Sequence, residues 1–301
     1  MNFINLNNPD LVSRTKSLVA EERNLTTELI QYLREIEKRK IHLSYGYSSL
    51  HEFCVKHLGY SDGGAYRRIS AMRLIKEIPE VEAKIKNGSL SLTNASMAHN
   101  FFKHEKKQNN VISDSKKIEL IQKLENQSTR QTEKILVALS PNPIPKEKVR
   151  ILTVTKTEIK IILDEKTKLK LEKIKQLLSN TLEDQTYGEL LDKMSDIVLE
   201  KIEPKQVNRA SAPKLDLESH TRYIPKQIKQ EIKIRDENRC QFISPITGKR
   251  CEERKYLEFD HVKPFSQGGA TSINNLRLTC SSHNKFEAIQ KLGEGLMGKY
   301  S

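Results

Sequence analysis

The sequence predicts an α+β protein with three parts: a mainly helical N-terminal region, a small α+β middle segment, and a C-terminal block in which a β-hairpin is crossed by a helix. Three observations carry this. Apolar residues recur at helical spacing over residues 1–140. A β-branched, partly alternating run, VRILTVTKTEIKIIL (149–163), then interrupts them. Beyond residue 220, three of the 4 cysteines gather in a strand–turn–strand–helix pattern.

Taken in order, Asn8-Pro9 suits an N-cap followed by proline at the first helical position. Leu11, Leu18, Leu25, Leu29, Leu33 and Ile36 follow at helical spacing, predicting one long packing helix to about Lys40. SSLHEFCVKHLGYSDGGAYRRISAMRLIKEIP (48–79) reads as two helices on a short turn. Ser49 and Glu52 have capping-box spacing, Gly59 ends the first helix, and Ser61 or Asp62 caps the second. The second helix carries Arg67, Arg68, Arg73 and Lys76, which fits a helix-turn-helix unit resting in a DNA groove, although plain helical hairpins share the pattern. Cys54, on the apolar side with Phe53 and Leu58, reads as a buried core thiol.

Residues 80–139 continue as short helices, with a turn and a fresh helix start in NGSLSLTNAS (87–96). PNPIPKEK (141–148) is a proline-rich boundary. The middle segment, 149–203, holds one strand or a hairpin and then helices near 165–180 and 187–203. PKQVNRASAPKLDLES (204–219) has linker composition, so residues 220–301 form the last domain. There Pro225 starts a helix whose Ile228, Ile232 and Ile234 can pack, and Asp236-Glu-Asn marks its end.

The 301 residues are 36% hydrophobic and 30% charged, with mean hydropathy −0.62. No apolar run is long enough to span a bilayer, and MNFINLNNPDLVSR lacks the pattern of a secretion signal, so the expected location is the cytoplasm. The 52 Lys+Arg against 39 Asp+Glu leave a formal charge of +13. Such an excess favours polyanions through counterion release, though a solvated lysine-rich surface gives the same count.

Cys240, Cys251 and Cys280 cannot all pair as disulfides, and in a cytoplasmic chain they read as metal ligands. Cys240 and Cys251 bracket QFISPITGKR, whose Pro245 and Gly248 suit a hairpin turn. Cys280 and His283 stand three apart, as in a knuckle flowing into a helix. Together they offer a closed Cys₃His tetrahedron suited to structural Zn²⁺, a staple that a small block with few large apolar residues needs. Between the pairs, YLEFDHVKPF (256–265) has strand character, SQGG allows a reversal, Asn275 to Cys280 returns, and SHNKFEAIQKL (282–292) is helical. Asp260, His261, Asn275 and His283-Asn284 can then all face one cleft.

The ordered set Asp-His, Gly-Gly, Asn-Leu and Cys-x-x-His-Asn resembles the HNH (ββα-metal) endonuclease family over about 222–290. The upstream region resembles the helical N-terminal parts of bacterial HNH proteins, and 58–100 resembles the DNA-binding helices of ParB-type partition proteins. The resemblance implies a metal-dependent DNA endonuclease leaving 5′-phosphate and 3′-hydroxyl ends. His261 would be the general base, Asp260 would bind one divalent cation (Mg²⁺ or Mn²⁺), and Asn275 would pin the loop and orient His261. Arg67, Arg68, Arg73, Lys76, Lys263 and Lys285 are the candidate nucleic-acid contacts.

One position departs from the family's common Cys-x-x-Cys-His ending. If His283 replaces the second cysteine on zinc, Asn284 falls on the catalytic-metal position. If His283 is instead the catalytic ligand, zinc keeps only three protein ligands. The first alignment is favoured because it completes the tetrahedron and leaves oxygen donors at Asp260 and Asn284. Two other functions fit the same residues: a non-catalytic, zinc-stapled DNA-binding or regulatory protein, and an RNA-directed nuclease.

Overall fold

The computed structural model describes residues 6–139, 147–202 and 221–293. The proline-rich stretch 141–146 and the predicted linker 204–219 lie outside the described residues. The N-terminal helices and the C-terminal block make one compact unit, and the middle segment makes another.

Among the described residues, eight helices build the N-terminal part: α1 (Asn8–Lys38), α2 (Ile41–Ser44), α3 (Leu50–Lys56), α4 (Asp62–Glu77), α5 (Val81–Asn87), α6 (Leu92–Lys107), α7 (Asp114–Lys123) and α8 (Thr129–Leu139). Three of them start on the same device. The hydroxyls of Ser49, Ser61 and Ser91 accept from the backbone N–H of Glu52, Gly64 and Asn94, at 3.1, 3.2 and 3.1 Å. Such caps each contribute about 1 kcal/mol. Helix α4 packs against α1, α3 and α6. Ala65, Ile69, Met72, Leu74 and Ile75 of α4 join Leu33, Phe53, Cys54, Phe101 and Phe102 in one core. Cys54 is fully buried there.

Several local expectations need correction. The N-cap of α1 is Asn7, whose side chain accepts from Asp10 N at 2.8 Å, so proline sits at the second helical position, where its missing N–H is harmless. Leu11, Leu18 and Leu25 are exposed, because the buried face of α1 begins only at Thr27 and continues through Ile30 and Leu33. Leu58 is also exposed, since α3 has already ended at Lys56 and the helical period lapses. Glu52 bonds to the backbone N–H of Ser48 rather than of Ser49, at 2.9 Å. Helix α2 was not anticipated, being too short to show a period.

In the middle segment, β1 (Lys148–Ile151) and β2 (Thr157–Lys160) form an antiparallel hairpin with Val149 opposite Ile159. Helices α9 (Glu165–Leu177) and α10 (Tyr187–Ile202) follow, and Leu182 and Leu190 are buried.

The C-terminal block is a ββα unit with a leading helix. It comprises α11 (Lys226–Arg235), β3 (Leu257–His261), β4 (Leu276–Cys280) and α12 (Ser281–Leu292). The strands pair antiparallel, setting His261 opposite Leu276, Asp260 opposite Arg277, and Glu258 opposite Thr279. Strand alternation sorts these side chains between two faces. Ile228 and Ile232 of α11 pack with Leu276, Leu278, Leu257 and Phe259, whereas Glu258 and Arg277 bond to Asn284 and Glu287 of α12. Ile234 stays partly exposed in the last turn of α11. The buried carboxylate of Asp236 accepts from Leu278 N at 2.7 Å and ties the end of α11 to β4.

The same block is bonded to the N-terminal helices around α2. Ser244 Oγ donates to the Ser44 carbonyl at 2.6 Å, and Thr247 Oγ1 donates to the Tyr45 carbonyl at 3.3 Å. Lys56 pairs with Glu252 at 2.9 Å, and Lys249 lies 4.3 Å over the Tyr47 ring. Gly46 permits this approach. Its φ is +85°, and a Cβ there would come 3.1 Å from the Lys249 carbonyl oxygen.

Candidate active site and metal centre

Cys240, Cys251, Cys280 and His283 converge. Their candidate ligand atoms all lie within 4.8 Å of one another, and all four residues are buried. An ideal zinc tetrahedron places its sulfur atoms about 3.8 Å apart, so the cluster has the right size as well as the right donors. The bridge between Ile243 and Arg250 closes the first knuckle, and the β4–α12 junction forms the second. His283 Nδ1 lies 3.2 Å from Cys280 Sγ and 3.8 Å from Cys240 Sγ. Its Nε2 lies 3.1 Å from the carbonyl oxygen of Leu43 in α2. A carbonyl can only accept, so Nε2 carries hydrogen toward it and Nδ1 is the atom turned to the thiols. Phe242 stacks on the ring, with centroids 4.0 Å apart. Burial alone would lower the His283 pKa; hydrogen bonding to Cys240 and Cys280 outweighs it and raises the value to about 9. Contacts with Cys251 and Cys280 push the Cys240 thiol far down, and the resulting thiolate holds Cys251 up.

At the other end of β3, a cavity of about 330 Å³ is lined by Arg222, Asp260, His261, Phe265, Glu287 and Lys291, among others. Asp260 Oδ2 accepts from Arg277 Nε and Nη2 at 3.1 and 3.0 Å, and Arg277 also holds Glu287. Two carboxylates thus converge on one cationic group. Burial raises the Asp260 pKa, and this outweighs the opposing pull of Arg277. Burial lowers the His261 pKa despite the neighbouring Asp260 charge, which favours the neutral imidazole.

The tautomer of that imidazole follows from its neighbour. Fully buried Thr271 donates its single hydroxyl proton to the Thr221 carbonyl at 2.6 Å. Toward His261 Nε2, 3.1 Å away, the same oxygen can only accept. Nε2 therefore carries the hydrogen, and Nδ1 is left as a bare lone pair.

Asn275 closes the loop that carries Thr271. Its Oδ1 accepts from Lys263 N at 2.9 Å, while its Nδ2 donates to the carbonyls of Lys263 and Ala270 at 3.1 and 2.8 Å. It does not bond His261 directly; the ring is met by Thr271. Gly269 makes this closure possible, because a Cβ there would lie 1.9 Å from the Lys263 carbonyl oxygen. Gly269→Ala is accordingly expected to destabilise the domain by roughly 1–3 kcal/mol, read as a lower midpoint in urea unfolding.

Residues 248–286 match the family model of the HNH endonucleases. This segment is an HNH endonuclease domain. No curated protein and no solved structure matches the chain.

Of the predicted residues, Asp260 and His261 share the cavity of the HNH domain, and Asn275 braces its loop. Asn284 stands on α12 with its Nδ2 donating to Glu258, and it does not line the cavity. His283 lies wholly within the cysteine cluster. On α4, Arg68 stacks 4.5 Å over Tyr60 and Arg73 pairs with Glu37 at 3.0 Å, while Lys76 is exposed. Sequence reasoning missed Thr271, Arg277 and Glu287. Glu287 had a signal, lying one helical turn beyond Asn284. Thr271 had none, since only the folded loop brings it to His261. Among the described residues no helix is long and apolar enough to cross a membrane.

Proposed function

We propose that the HNH domain hydrolyses phosphodiester bonds in DNA, with His261 as general base. The observation that carries this is the oriented imidazole: Nε2 is held by Thr271, and Nδ1 has no partner among the described residues, in a cavity shared with the Asp260 carboxylate. Nδ1 takes a proton from water as the water oxygen attacks phosphorus. The P–O3′ bond then breaks, the departing O3′ takes up a proton, and the products end in 5′-phosphate and 3′-hydroxyl. Arg222 and Lys291, which also line the cavity, supply positive charge toward the substrate phosphate.

The donor set fits a divalent cation, because Asp260 and Glu287 already converge on the Arg277 charge. Asp260 would hold Mg²⁺ or Mn²⁺ with Glu287 beside it, and the Asn284 amide oxygen, which does not line the cavity, would join them only if its side chain leaves Glu258. When bound, such a cation stabilises charge on the phosphate and leaving oxygen. Cys240, Cys251, Cys280 and His283 would hold structural zinc. Arg67, Arg68, Arg73, Lys76, Lys263 and Lys285 would hold the duplex, so binding should weaken steeply with salt.

A second reading has its own observation. Arg277 satisfies both carboxylates from within the chain, which suits a non-catalytic DNA clamp. The test is supercoiled plasmid incubated with zinc-loaded protein, with and without Mg²⁺ or Mn²⁺. Nicking that requires the added cation is the expected result. Duplex binding without any nicking would sink the nuclease and leave the clamp. Competition between duplex DNA and structured RNA for the same cleavage decides the substrate.

A further inference from the structure

A second cavity lies in the N-terminal helices and shares no residue with the one holding Asp260 and His261. It measures about 540 Å³ and is lined by residues of α4 and α6 and of the stretch from Asn110 to Lys117. We propose that this cavity is a separate phosphate-binding site, built by Arg73, His99, Lys103, Lys106 and Lys117.

The lining is strongly cationic. Four basic side chains meet one acid, Glu77, which lies 3.9 Å from Lys117. Arg73 is paired with Glu37 at 3.0 Å and Lys117 with Asp114 at 3.2 Å, but Lys103 and Lys106 have no partner among the described residues. Those two lie three apart on α6, so they stand as neighbours on one helix face.

The second observation is independent of charge. His99 is only 8% exposed and lines the cavity, and its buried Nδ1 finds no hydrogen-bond partner among the described residues. A buried polar atom left without a partner is costly, and native interiors rarely tolerate one unless a ligand or water completes it. The His99 ring beside two unpaired ammonium groups gives the cavity a polar, cationic wall that matches the negative charge of a phosphate. Phe102, Val111 and Ile112 add apolar wall, and Val111 is 90% exposed, which suits a phosphate that arrives attached to an organic group.

Two sources offer that chemistry, the backbone of a nucleic acid and a small phosphorylated compound. The inference does not depend on catalysis, so the test uses the full zinc-loaded chain with no other divalent cation added. Affinity for a fluorescein-labelled 20-base-pair duplex is measured against salt for the wild type and for Lys103→Gln/Lys106→Gln, whose exposed positions leave the core untouched. In parallel, inorganic phosphate and adenosine 5′-monophosphate are titrated into both proteins by calorimetry.

If the backbone is the source, the double variant loses about tenfold in duplex affinity, and its log–log salt slope shrinks by about one for each phosphate contact removed. If a small compound is the source, duplex binding is unchanged, while phosphate or the nucleotide binds the wild type and the variant binds it at least tenfold more weakly. His99→Gln, assayed where its thermal unfolding matches wild type, should lower the same affinity. Unchanged duplex binding together with no difference in either titration overturns the proposal. Loss of plasmid nicking alone bears on His261 and leaves this site standing.

Discussion

Replacing His261 with alanine is expected to lower cation-dependent plasmid nicking by about 10²–10⁴-fold while leaving duplex affinity unchanged. The size follows from what the ring contributes. Among the described residues it is the one imidazole in the Asp260 cavity, its Nε2 is committed to Thr271, and burial favours its neutral form. Removing it takes away the proposed proton acceptor and little of the proposed binding surface, because the cationic groups assigned to DNA lie on other side chains. The effect should therefore fall on kcat and spare KM. Thr271→Val probes the same geometry at one remove. It deletes both the acceptor for Nε2–H and the tie to the Thr221 carbonyl, so the ring loses its fixed tautomer, and Thr271→Ser should restore most of the lost rate. If His261→Ala cuts as fast as wild type, the base lies elsewhere and the proposed chemistry fails with it.

Much of this was legible before any coordinates, and the reasons are local. Ser49, the Ser61-Asp62 pair and the turn at 87–96 announce three helix starts, whose caps are Ser49, Ser61 and Ser91, because a hydroxyl three residues ahead of an orphan N–H is a short-range interaction. The cysteine spacing announced a cluster because two knuckles leave few ways to bring four ligands together. What escaped depends on tertiary closure. Leu11 and Leu18 have helical periodicity without a partner helix, so pattern alone assigned them to a core that does not reach them. Arg277 sits opposite Asp260 only once the hairpin pairing is known. Thr271 reaches His261 across a loop held by Asn275 and permitted by Gly269. The cavity was therefore foreseen by its two strand residues and missed in the groups that orient and balance them.

His283 is where the metal question and the domain arrangement meet. Its two ring nitrogens serve different elements: Nδ1 faces the thiols of Cys240 and Cys280, and Nε2 faces the Leu43 carbonyl of α2. Ligation at Nδ1 would thus also fix the ring that binds the C-terminal block to the N-terminal helices, in the way an outer-shell hydrogen bond orients a metal-bound imidazole. His283→Ala should then lose zinc, measured as metal per chain, and lose at least about 3 kcal/mol of stability from the vanished ligand and the cavity left in its place. A variant that kept full zinc and stability but stopped cutting would move His283 to the catalytic metal and leave zinc with three protein ligands. His283→Cys separates the two roles, since a thiolate can complete the tetrahedron but cannot reach the Leu43 carbonyl with an N–H. That variant should retain zinc while amides in 41–57 exchange faster with solvent, as they should in chelator-treated wild type. Slow exchange there in both proteins would mean that Ser244, Thr247 and the Lys56–Glu252 pair hold the two parts together without the metal ligand's help.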